Sequence, residues 1–479
     1  MTGRRMSFKG YLGAVLKKLT SFGGIIMKKL LLVTTAIAGV AFMSAPASAA
    51  IDLDVGGYFR GYVVSADNDL PNVYEEEFRR DSELHVSGET TLDNGLTVGA
   101  HAEMNIANND GVSDSVDADE MYAYFSSGFG RINLGVEDGA AYLLQVEAPS
   151  ADANIDGMVT SIEGISDSSM NLDLVAIEAF TQTKVQYGQR DFSESDRITY
   201  MSPKFNGFQA GVSYTPRPNV TSAAGAMNSA DNTVAGIFSV DTGVAVTNTA
   251  SQYKDPIEVS ARYDGEYQGF GFAIGAGYSK ADLEARVVET LASVDVDTLG
   301  VASGTSLGAT ATDGYWQRDD VDTYNAGMNI MFQNFSLGGS YMKSETTLGT
   351  DFDVTAAAAL TVDTADLERE TYVIGAAYDN GPYHVGASYL NQETTQDAFL
   401  GGATAVTDDM TGVTEEVDKF TVGGGYSFGP GMTFRGAVAW GEREISDVLA
   451  VGVAARNPNG YANGTQDFTQ ITLGTDIKF

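Results

Sequence analysis

The sequence contains no cysteine, which excludes disulfide bonds and thiolate sites for catalysis or metal binding. Basic residues are also scarce, because 28 Lys and Arg stand against 64 Asp and Glu, a formal net charge of −36. Seven of the 28 lie in residues 1–50, which hold no acidic residue, so the remaining chain carries 21 basic and 64 acidic residues, a net −43. Nucleic-acid binding needs a basic surface, so this balance excludes nucleic acid as a partner and favours cations.

Long hydrophobic runs are missing beyond residue 50, which excludes further membrane-spanning helices of about 18 or more apolar residues. The one strongly apolar run lies near the start. Residues 27–29 supply a short basic stretch, residues 30–43 an apolar core, and residues 47–49 the small-residue sequence A-S-A. This order predicts a secretory signal peptide over 27–49, cleaved after Ala49, with an uncleaved anchor helix as the alternative.

Residues 1–26 precede this complete signal, although such signals normally begin a chain. We therefore expect translation to start at Met27 and residues 1–26 to be a misassigned extension. Gly23 and Gly24 are consistent with a purine-rich ribosome-binding site translated as protein.

The rest of the chain alternates in polarity with a period of two, which is typical of β-strands with one apolar and one wet face. In residues 53–63, apolar side chains occupy alternate positions, and Asp54, Tyr58, Arg60 and Tyr62 fall between them. Sixteen such segments can be counted, with approximate bounds 51–65, 79–92, 96–106, 117–127, 130–137, 195–202, 207–214, 256–264, 269–280, 320–333, 334–343, 367–379, 382–391, 416–428, 431–444 and 467–479.

The connections between these segments alternate strictly between short and long. The short ones carry tight-turn residues, at 93–95, 127–129, 204–206, 265–267, 333–334, 380–381 and 429–430. The long ones are polar and acidic, at 66–78, 107–116, 138–194, 215–255, 281–319, 344–366, 392–415 and 445–466. An antiparallel sheet is predicted, with the turns and both termini at one end and the long loops at the other.

The first turn predicts its own register. Leu92 and Leu96 should share the apolar face and pair with each other, which leaves residues 93–95 as a three-residue loop with Gly95 in the left-handed conformation. His85 then lies opposite Glu103, and His101 opposite Ser87, all on the polar face.

Aromatic residues are frequent at apolar positions near the strand ends. They are Phe59, Tyr263, Phe272, Tyr278, Phe332, Tyr341, Tyr378, Tyr383, Tyr389, Phe428, Phe434, Trp440 and Phe479. A barrel in lipid presents such aromatics outward at both interfaces, and closure removes the open edges that lipid cannot satisfy. We predict an all-β protein, a 16-stranded antiparallel transmembrane β-barrel too wide for side chains to fill. The alternative, a soluble all-β protein, would bury the apolar face.

Three stretches resemble the trimeric, sixteen-stranded Gram-negative outer-membrane porins of the general-diffusion type. They are D-R-I-T-Y-M-S-P-K-F-N-G-F at 196–208, G-F-G-R-I-N-L-G-V-E-D-G at 128–139, and the terminal strand ending in Phe479. The resemblance covers residues 50–479. Long loops 4 to 8 are larger than expected for a general-diffusion porin.

This resemblance implies short periplasmic turns, long extracellular loops and a homotrimer in contact with outer-membrane lipid and lipopolysaccharide. It implies passive diffusion of ions and small hydrophilic solutes through the barrel. It also implies that the third long loop, 138–194, folds inward and constricts the channel.

Residues 152–163, D-A-N-I-D-G-M-V-T-S-I-E, match the calcium-loop pattern D-x-[DN]-x-[DN]-G-x5-E. A calcium sensor of the EF-hand type needs a helix on each side, but Pro149 interrupts residues 146–151, and turn residues fill 164–169. Two interpretations stay open: a solvated acidic loop, or one bound Ca²⁺. The calcium ligands would be Asp152, Asn154, Asp156, Glu163 and the Met158 carbonyl.

Strand parity points six basic side chains into the barrel: Arg60, Arg131, Arg197, Arg262, Lys419 and Arg435. The acidic candidates in and beside the third long loop are Glu137, Asp138, Asp152, Asp156, Glu163 and Asp167. Individually, each basic residue is expected to pair with a carboxylate of the wall. Collectively, the two sets would place a transverse field across a constriction. The acidic excess predicts a preference for cations.

Enzymatic chemistry finds little support in the sequence. His85, His101 and His384 are the only histidines, and no G-x-S-x-G motif accompanies them. The glycines of 423–425 lie within a strand, where no helix follows to bind a phosphate. We therefore expect a channel that needs no cofactor. A substrate-selective outer-membrane channel and a non-conducting surface barrel or adhesin remain as alternatives.

Overall fold

The structure is a computed structural model. It describes residues 51–68, 76–107, 117–158, 185–192, 194–216, 218, 253–283, 286–291, 311–353, 361–362, 365–396, 400–401, 413–446 and 464–479. The predicted extension 1–26, the signal peptide 27–49, much of the long loops, Glu163 and Asp167 lie outside the described residues.

Sixteen long strands of the described residues form one antiparallel sheet. They are β1 (Asp52–Asn68), β2 (Glu76–Thr91), β3 (Thr97–Ala107), β4 (Asp117–Ser127), β5 (Gly130–Glu137), β6 (Ser195–Met201), β7 (Phe208–Tyr214), β8 (Tyr253–Tyr267), β9 (Phe270–Leu283), β10 (Ala311–Phe332), β11 (Phe335–Asp353), β12 (Ala365–Asn380), β13 (Tyr383–Gln396), β14 (Val413–Gly429), β15 (Met432–Ser446) and β16 (Gly464–Lys478). Each strand pairs with its neighbours in chain order, and β1 also pairs with β16, so the sheet closes into a barrel. The predicted fold is confirmed.

The predicted strand bounds were too short toward the long loops. The clearest cases are β10 and β11, which extend well beyond the predicted 320–333 and 334–343. Where both faces of a strand are polar, the two-residue alternation disappears, so the pattern cannot show where such a strand ends. Three further short strands, Arg286–Leu291, Thr361–Val362 and Leu400–Gly401, also lie in segments predicted as loops.

The predicted register of the first turn is confirmed. The Leu92 N–H donates to the Leu96 carbonyl at 2.8 Å, and Gly95 has a φ of 78°. Glycine adopts this left-handed conformation without steric cost. A local pattern of three turn residues between two leucines was therefore sufficient to set the register.

The turn predicted at 265–267 was wrong. Both strands continue to the pair Tyr267 and Phe270, and the turn is Gln268–Gly269, with φ values of 51° and 83°. Two-residue hairpin turns of this class need positive φ at both central residues. The turns predicted at 380–381 and 429–430 are each displaced by one residue, since β12 and β14 end at Asn380 and Gly429.

Side-chain exposure follows the predicted alternation. On β1, Phe59 and Val63 are 39% and 44% exposed, whereas Tyr58 and Tyr62 on the other face are only 8% and 2% exposed. The apolar side chains therefore face outward and the polar ones face the interior. This is the reverse of a soluble all-β protein.

Aromatic side chains form two rows on the outer face. Near the short turns, Phe270 stacks on Phe332 with ring centroids 4.5 Å apart, and nearer the long loops Phe420 stacks on Trp440 at 5.9 Å. On β10, Tyr324 of the second row lies eight residues before Phe332, which is about 26 Å along a strand. The separation is comparable to the apolar band of about 25 Å that membrane barrels present.

The predicted loop 138–194 contains two helical turns, α1 (Ala140–Leu143) and α2 (Ala153–Asp156), where only loop was expected. Asp152 caps the start of α2, because its Oδ1 accepts the Asn154 N–H at 3.1 Å, and Gly157 follows the end with a left-handed φ of 99°. The calcium-like spacing therefore coincides with a capped helical turn. Residues 146–151 are not helical, as predicted, and residues 164–169 lie outside the described part of the chain.

Candidate functional site

Polar side chains of the inner wall hold the backbone of residues 138–158. The Asn325 amide on β10 donates to the Ala141 carbonyl at 3.1 Å, and the His384 Nε2–H on β13 donates to the Ser150 carbonyl at 2.9 Å. These contacts satisfy backbone groups that regular secondary structure would otherwise pair. Residues 138–158 therefore lie along the inner wall, and we call them the inward segment.

Glycines on the wall let the inward segment approach closely. A Cβ added at Gly375 on β12 would lie 1.8 Å from the Pro149 carbonyl oxygen, and one at Gly386 on β13 would lie 2.2 Å from that of Ser150. No real side chain tolerates such distances. Because glycine has a hydrogen in place of a side chain, the backbone of the inward segment can lie directly against the backbone of these strands.

Residues 185–192 pack with the inward segment. The Gln145 side chain donates to the Tyr187 carbonyl at 2.7 Å and accepts the Gln189 N–H at 2.8 Å. The Gln189 amide in turn donates to the Ser279 hydroxyl on β9 at 2.7 Å. The two stretches therefore form one layer that is joined to the wall.

One cluster of charges fastens this layer to β1, β15 and β16. Arg435 donates to Asp152 at 3.2 Å and to Asp476 at 3.3 Å, and Arg60 lies 3.9 Å from Asp476 and 3.6 Å from Asp81. We call these five residues the Arg435 cluster. Three predicted constriction residues, Arg60, Asp152 and Arg435, are thus brought together.

Both carboxylate oxygens of Asp152 accept hydrogen bonds from protein groups. The Tyr62 hydroxyl donates to Oδ2 at 2.9 Å, and the Asn154 amide donates to Oδ1 at 2.9 Å, where Arg435 also binds. A calcium ion on Asp152 and Asn154 would therefore compete with Arg435. The calcium ligand set stays a prediction, and calorimetry at millimolar calcium on chelator-treated protein measures it.

Asp156 is buried at the end of α2. Its Oδ1 accepts the Met158 N–H at 3.2 Å. Burial raises the pKa of Asp156 to about 7, against the opposing effects of hydrogen bonding to Ser150 and of the Lys419 ammonium. Lys419 itself donates to the Ile155 carbonyl, so this predicted basic residue holds α2 by its backbone.

Arg197 and Arg262 are paired with carboxylates of their own part of the wall. Arg197 donates to Glu258 at 2.7 Å, and both side chains are buried. Glu258 also accepts the Ala141 N–H at 3.2 Å, which connects the pair to α1. Arg262 donates to Asp264 at 2.9 Å. For these two residues, the expectation that each basic side chain pairs with a carboxylate is confirmed.

Among the predicted basic residues, Arg131 contacts an aromatic ring and an amide side chain instead of pairing directly with a carboxylate. Its guanidinium lies 3.9 Å from the Tyr124 ring centroid and donates to the Asn133 side chain at 2.7 Å. Asn133 in turn donates to Glu137. These residues lie on β4 and β5, apart from the Arg435 cluster, so the described predicted residues occupy separate parts of the wall.

Arg190 was missed by the sequence analysis. It lies 3.3 Å from Asp138 and 3.1 Å from Glu194. Burial and the neighbouring Asp119 raise the pKa of Glu194 to about 7. The segment around Arg190 has no periodic pattern, so the sequence contained no signal that this side chain would meet Asp138.

The inner face of β2 to β5 carries more carboxylates than basic groups. Of the Arg residues on these strands, Arg79 and Arg131 share the inward parity and Arg80 has the outward one, and the inward carboxylates include Asp81, Glu83, Glu103, Asp119, Glu120 and Glu137. We call this face the acidic wall. Negative charge at a confined surface raises the local concentration of cations.

Residues 34–446 match the family described as Gram-negative porin. The chain belongs to the Gram-negative porin family. An uncharacterized protein of Rickettsia conorii is 24% identical to this porin over 295 residues, which is 56% of this chain and 61% of that protein. One of Rickettsia bellii is 22% identical over 386 residues, 75% of this chain and 76% of that protein. The porin spans only 61–63% of the length of the first three such relatives.

Solved structures similar to this porin include in-vitro folded OmpT, an outer membrane protein of Vibrio cholerae, with a TM-score of 0.48, 11% identity, and coverage of 91% of this chain and 99% of that one. Another is the anion-selective porin from Comamonas acidovorans, with a TM-score of 0.45, 15% identity, and coverage of 90% and 100%.

The family and the sixteen-stranded fold locate this porin in the outer membrane as a β-barrel. The two outer aromatic rows then lie where the apolar core of the bilayer meets its headgroups. None of the described helices has the length and apolar character needed to cross a membrane.

Proposed function

We propose that this porin forms a water-filled channel through which ions and small hydrophilic solutes diffuse passively across the outer membrane. The observation that supports the proposal is a closed barrel with an apolar, exposed outer face and a charged inner wall. In keeping with its family, the proposal includes a homotrimer embedded in outer-membrane lipid and lipopolysaccharide. The proposed activity is transport without chemical change of the solute.

The inward segment is the proposed constriction. Together with residues 185–192 it lies against strands from β7 to β15 and against β1, to which it is joined by side-chain hydrogen bonds. The open part of the lumen is then bounded on the other side by the acidic wall of β2 to β5. A solute passing the narrowest level would meet carboxylates on that side.

Cation preference follows from this placement of charge. Four of the predicted basic side chains, Arg60, Arg197, Arg262 and Arg435, are neutralised by carboxylate partners within 4 Å. The acidic wall keeps an excess of negative groups, and the strongly negative chain adds to it. A negatively lined pore attracts cations and repels anions.

Reversal potentials in planar lipid bilayers with a KCl gradient test the proposal. We expect a cation-selective potential, and a smaller one for Glu103→Gln, which removes a charge from the acidic wall. Glu266→Gln is the matched control, because Glu266 is exposed near a short turn.

An anion-selective potential in the unmodified porin would contradict the charge argument. The absence of any conductance would contradict the channel itself and favour a plugged surface barrel. Block of the current by one solute at micromolar concentration would indicate a substrate-selective channel instead of a general one.

A further inference from the structure

Two of the three histidines of the chain meet on the acidic wall. His85 on β2 and His101 on β3 are diagonal neighbours across adjacent strands, and their ring centroids lie 6.0 Å apart. Imidazole nitrogens bind Zn²⁺, Cu²⁺ and Ni²⁺ well. Ca²⁺ and Mg²⁺ prefer oxygen ligands instead. The chain thus places most of its few imidazoles at one point of a negatively charged surface.

Glu103 completes a set of three ligand atoms. Its Oε1 lies 2.7 Å from Nε2 of His101 and 3.7 Å from Nδ1 of His85. All three ligand atoms lie within 4.8 Å of one another, and the groups of this kind found among the described residues all include Glu103. Ligands bound tetrahedrally to zinc at 2.0–2.1 Å are about 3.3–3.5 Å apart, so small side-chain rotations suffice.

We propose that His85, His101 and Glu103 form a binding site for a divalent transition-metal ion, with Zn²⁺ as the representative ion. The ion binds Nδ1 of His85, Nε2 of His101 and a carboxylate oxygen of Glu103. Three protein ligands leave a fourth position for water.

Glu83 supplies the orientation that such a site needs. Its Oε2 lies 2.9 Å from Nε2 of His85, and its side chain is only 9% exposed. With the proton on Nε2, the imidazole donates to Glu83 and directs the lone pair of Nδ1 toward Glu103. Metal-bound histidines usually donate their second ring N–H to a carboxylate in this way, which fixes both ring orientation and tautomer.

Solvent and charge also favour a cation at this position. The side chains of His85, His101 and Glu103 are 31%, 18% and 19% exposed, so ions can reach them from the interior. Glu83 and Asp119 have carboxylate oxygens within 4.8 Å of Glu103 and add negative charge. A nearby cation, Arg190, is held by other partners, Asp138 and Glu194.

Calorimetric titration of ZnCl₂ into the chelator-treated, detergent-solubilised porin tests the proposal. We expect one zinc ion per chain. His101→Gln and Glu103→Gln should each weaken binding at least tenfold, and Glu83→Gln should weaken it about tenfold, the usual lower limit for a residue that orients a ligand. Co²⁺ should give a visible absorption band that His101→Gln removes.

His384→Gln is the matched control, because it removes the third histidine, which lies on β13 beside Asp379, and it should leave zinc binding unchanged. Unaltered gel mobility of the unheated proteins shows that the variants are folded. The proposal is overturned if the unmodified porin gives no binding heat at millimolar zinc, or if His101→Gln binds zinc as tightly as the unmodified porin does. Since the readout is binding and not conductance, either result leaves the channel proposal to its own test.

Discussion

Arg435 illustrates what a single side chain does in this porin. It joins Asp152 of the inward segment to Asp476 of β16, so one guanidinium connects the proposed constriction to the wall. Strand parity predicted that Arg435 faces the interior. It could not predict the contact with Asp152, because that depends on the path of a segment without periodic pattern.

Glu194 gives the porin a charge that changes near neutral pH. Burial and the neighbouring Asp119 raise its pKa to about 7, although Arg190 lies 3.1 Å away and opposes the shift. A carboxyl group with this pKa is mostly neutral at pH 6 and mostly ionised at pH 8. Its negative charge is therefore gained as the pH rises through 7.

We expect the cation preference that we propose for the channel to increase from pH 6 to pH 8. Glu194→Gln should show a lower preference at pH 8, little difference from the unmodified porin at pH 6, and a flatter profile between the two. Reversal potentials at each pH measure this. Parallel profiles for both proteins would contradict a titration of Glu194 in this range.

At the scale of elements, glycines in the strands determine where the inward segment can lie. Sequence reasoning treats a glycine inside a strand as a weakness, because it adds no side-chain packing. In this barrel, Gly375 and Gly386 form the surface on which the backbone near Pro149 and Ser150 rests. Which glycines serve this purpose depends on the path of the segment, and local sequence does not record that path.

Gly375→Ala should loosen the inward segment without unfolding the barrel. The added Cβ would overlap the Pro149 carbonyl oxygen, and overpacking costs about 1–3 kcal/mol. We therefore expect hydrogen exchange of the amides in residues 145–151 to accelerate by about 5-fold to about 150-fold.

Gly128→Ala is the control for this substitution, since nothing lies within 4 Å of the added Cβ at that position. Hydrogen exchange followed by peptide mass spectrometry compares the two variants. Equal exchange of residues 145–151 in both would show that the glycine contact does not hold the segment.

The positions of the turns are a second property of the elements, and the sequence predicted some of them correctly and others not. The leucines around Asn94 and Gly95 fixed one register correctly. Around the β8–β9 turn, Gly265, Gly269 and Gly271 all offered turn chemistry, and the pairing of Tyr267 with Phe270 decided between them. The glycines alone allowed more than one position for this turn, and the pair of aromatic residues that flanks it marks the position that the structure adopts.

At the scale of the whole molecule, we expect three barrels to conduct together. The expectation rests on the family, since strand periodicity identifies no contact surface between copies. A single insertion into a planar bilayer should close at high voltage in three equal conductance steps. One step per insertion would indicate a barrel that conducts alone.

The closing ladder between β1 and β16 has a consequence for how the barrel forms. It joins Tyr58 to Lys478, residues at opposite ends of the barrel sequence, whereas every other ladder between the sixteen numbered strands joins one strand to the next in number. This seam therefore has the highest contact order of all the ladders, and the loop-closure entropy it requires makes it slow to assemble. Until this ladder forms, the two edge strands of the incomplete sheet can pair with strands of other chains. A chaperone that shields those borders during export would protect the molecule in the interval when it is most prone to aggregate.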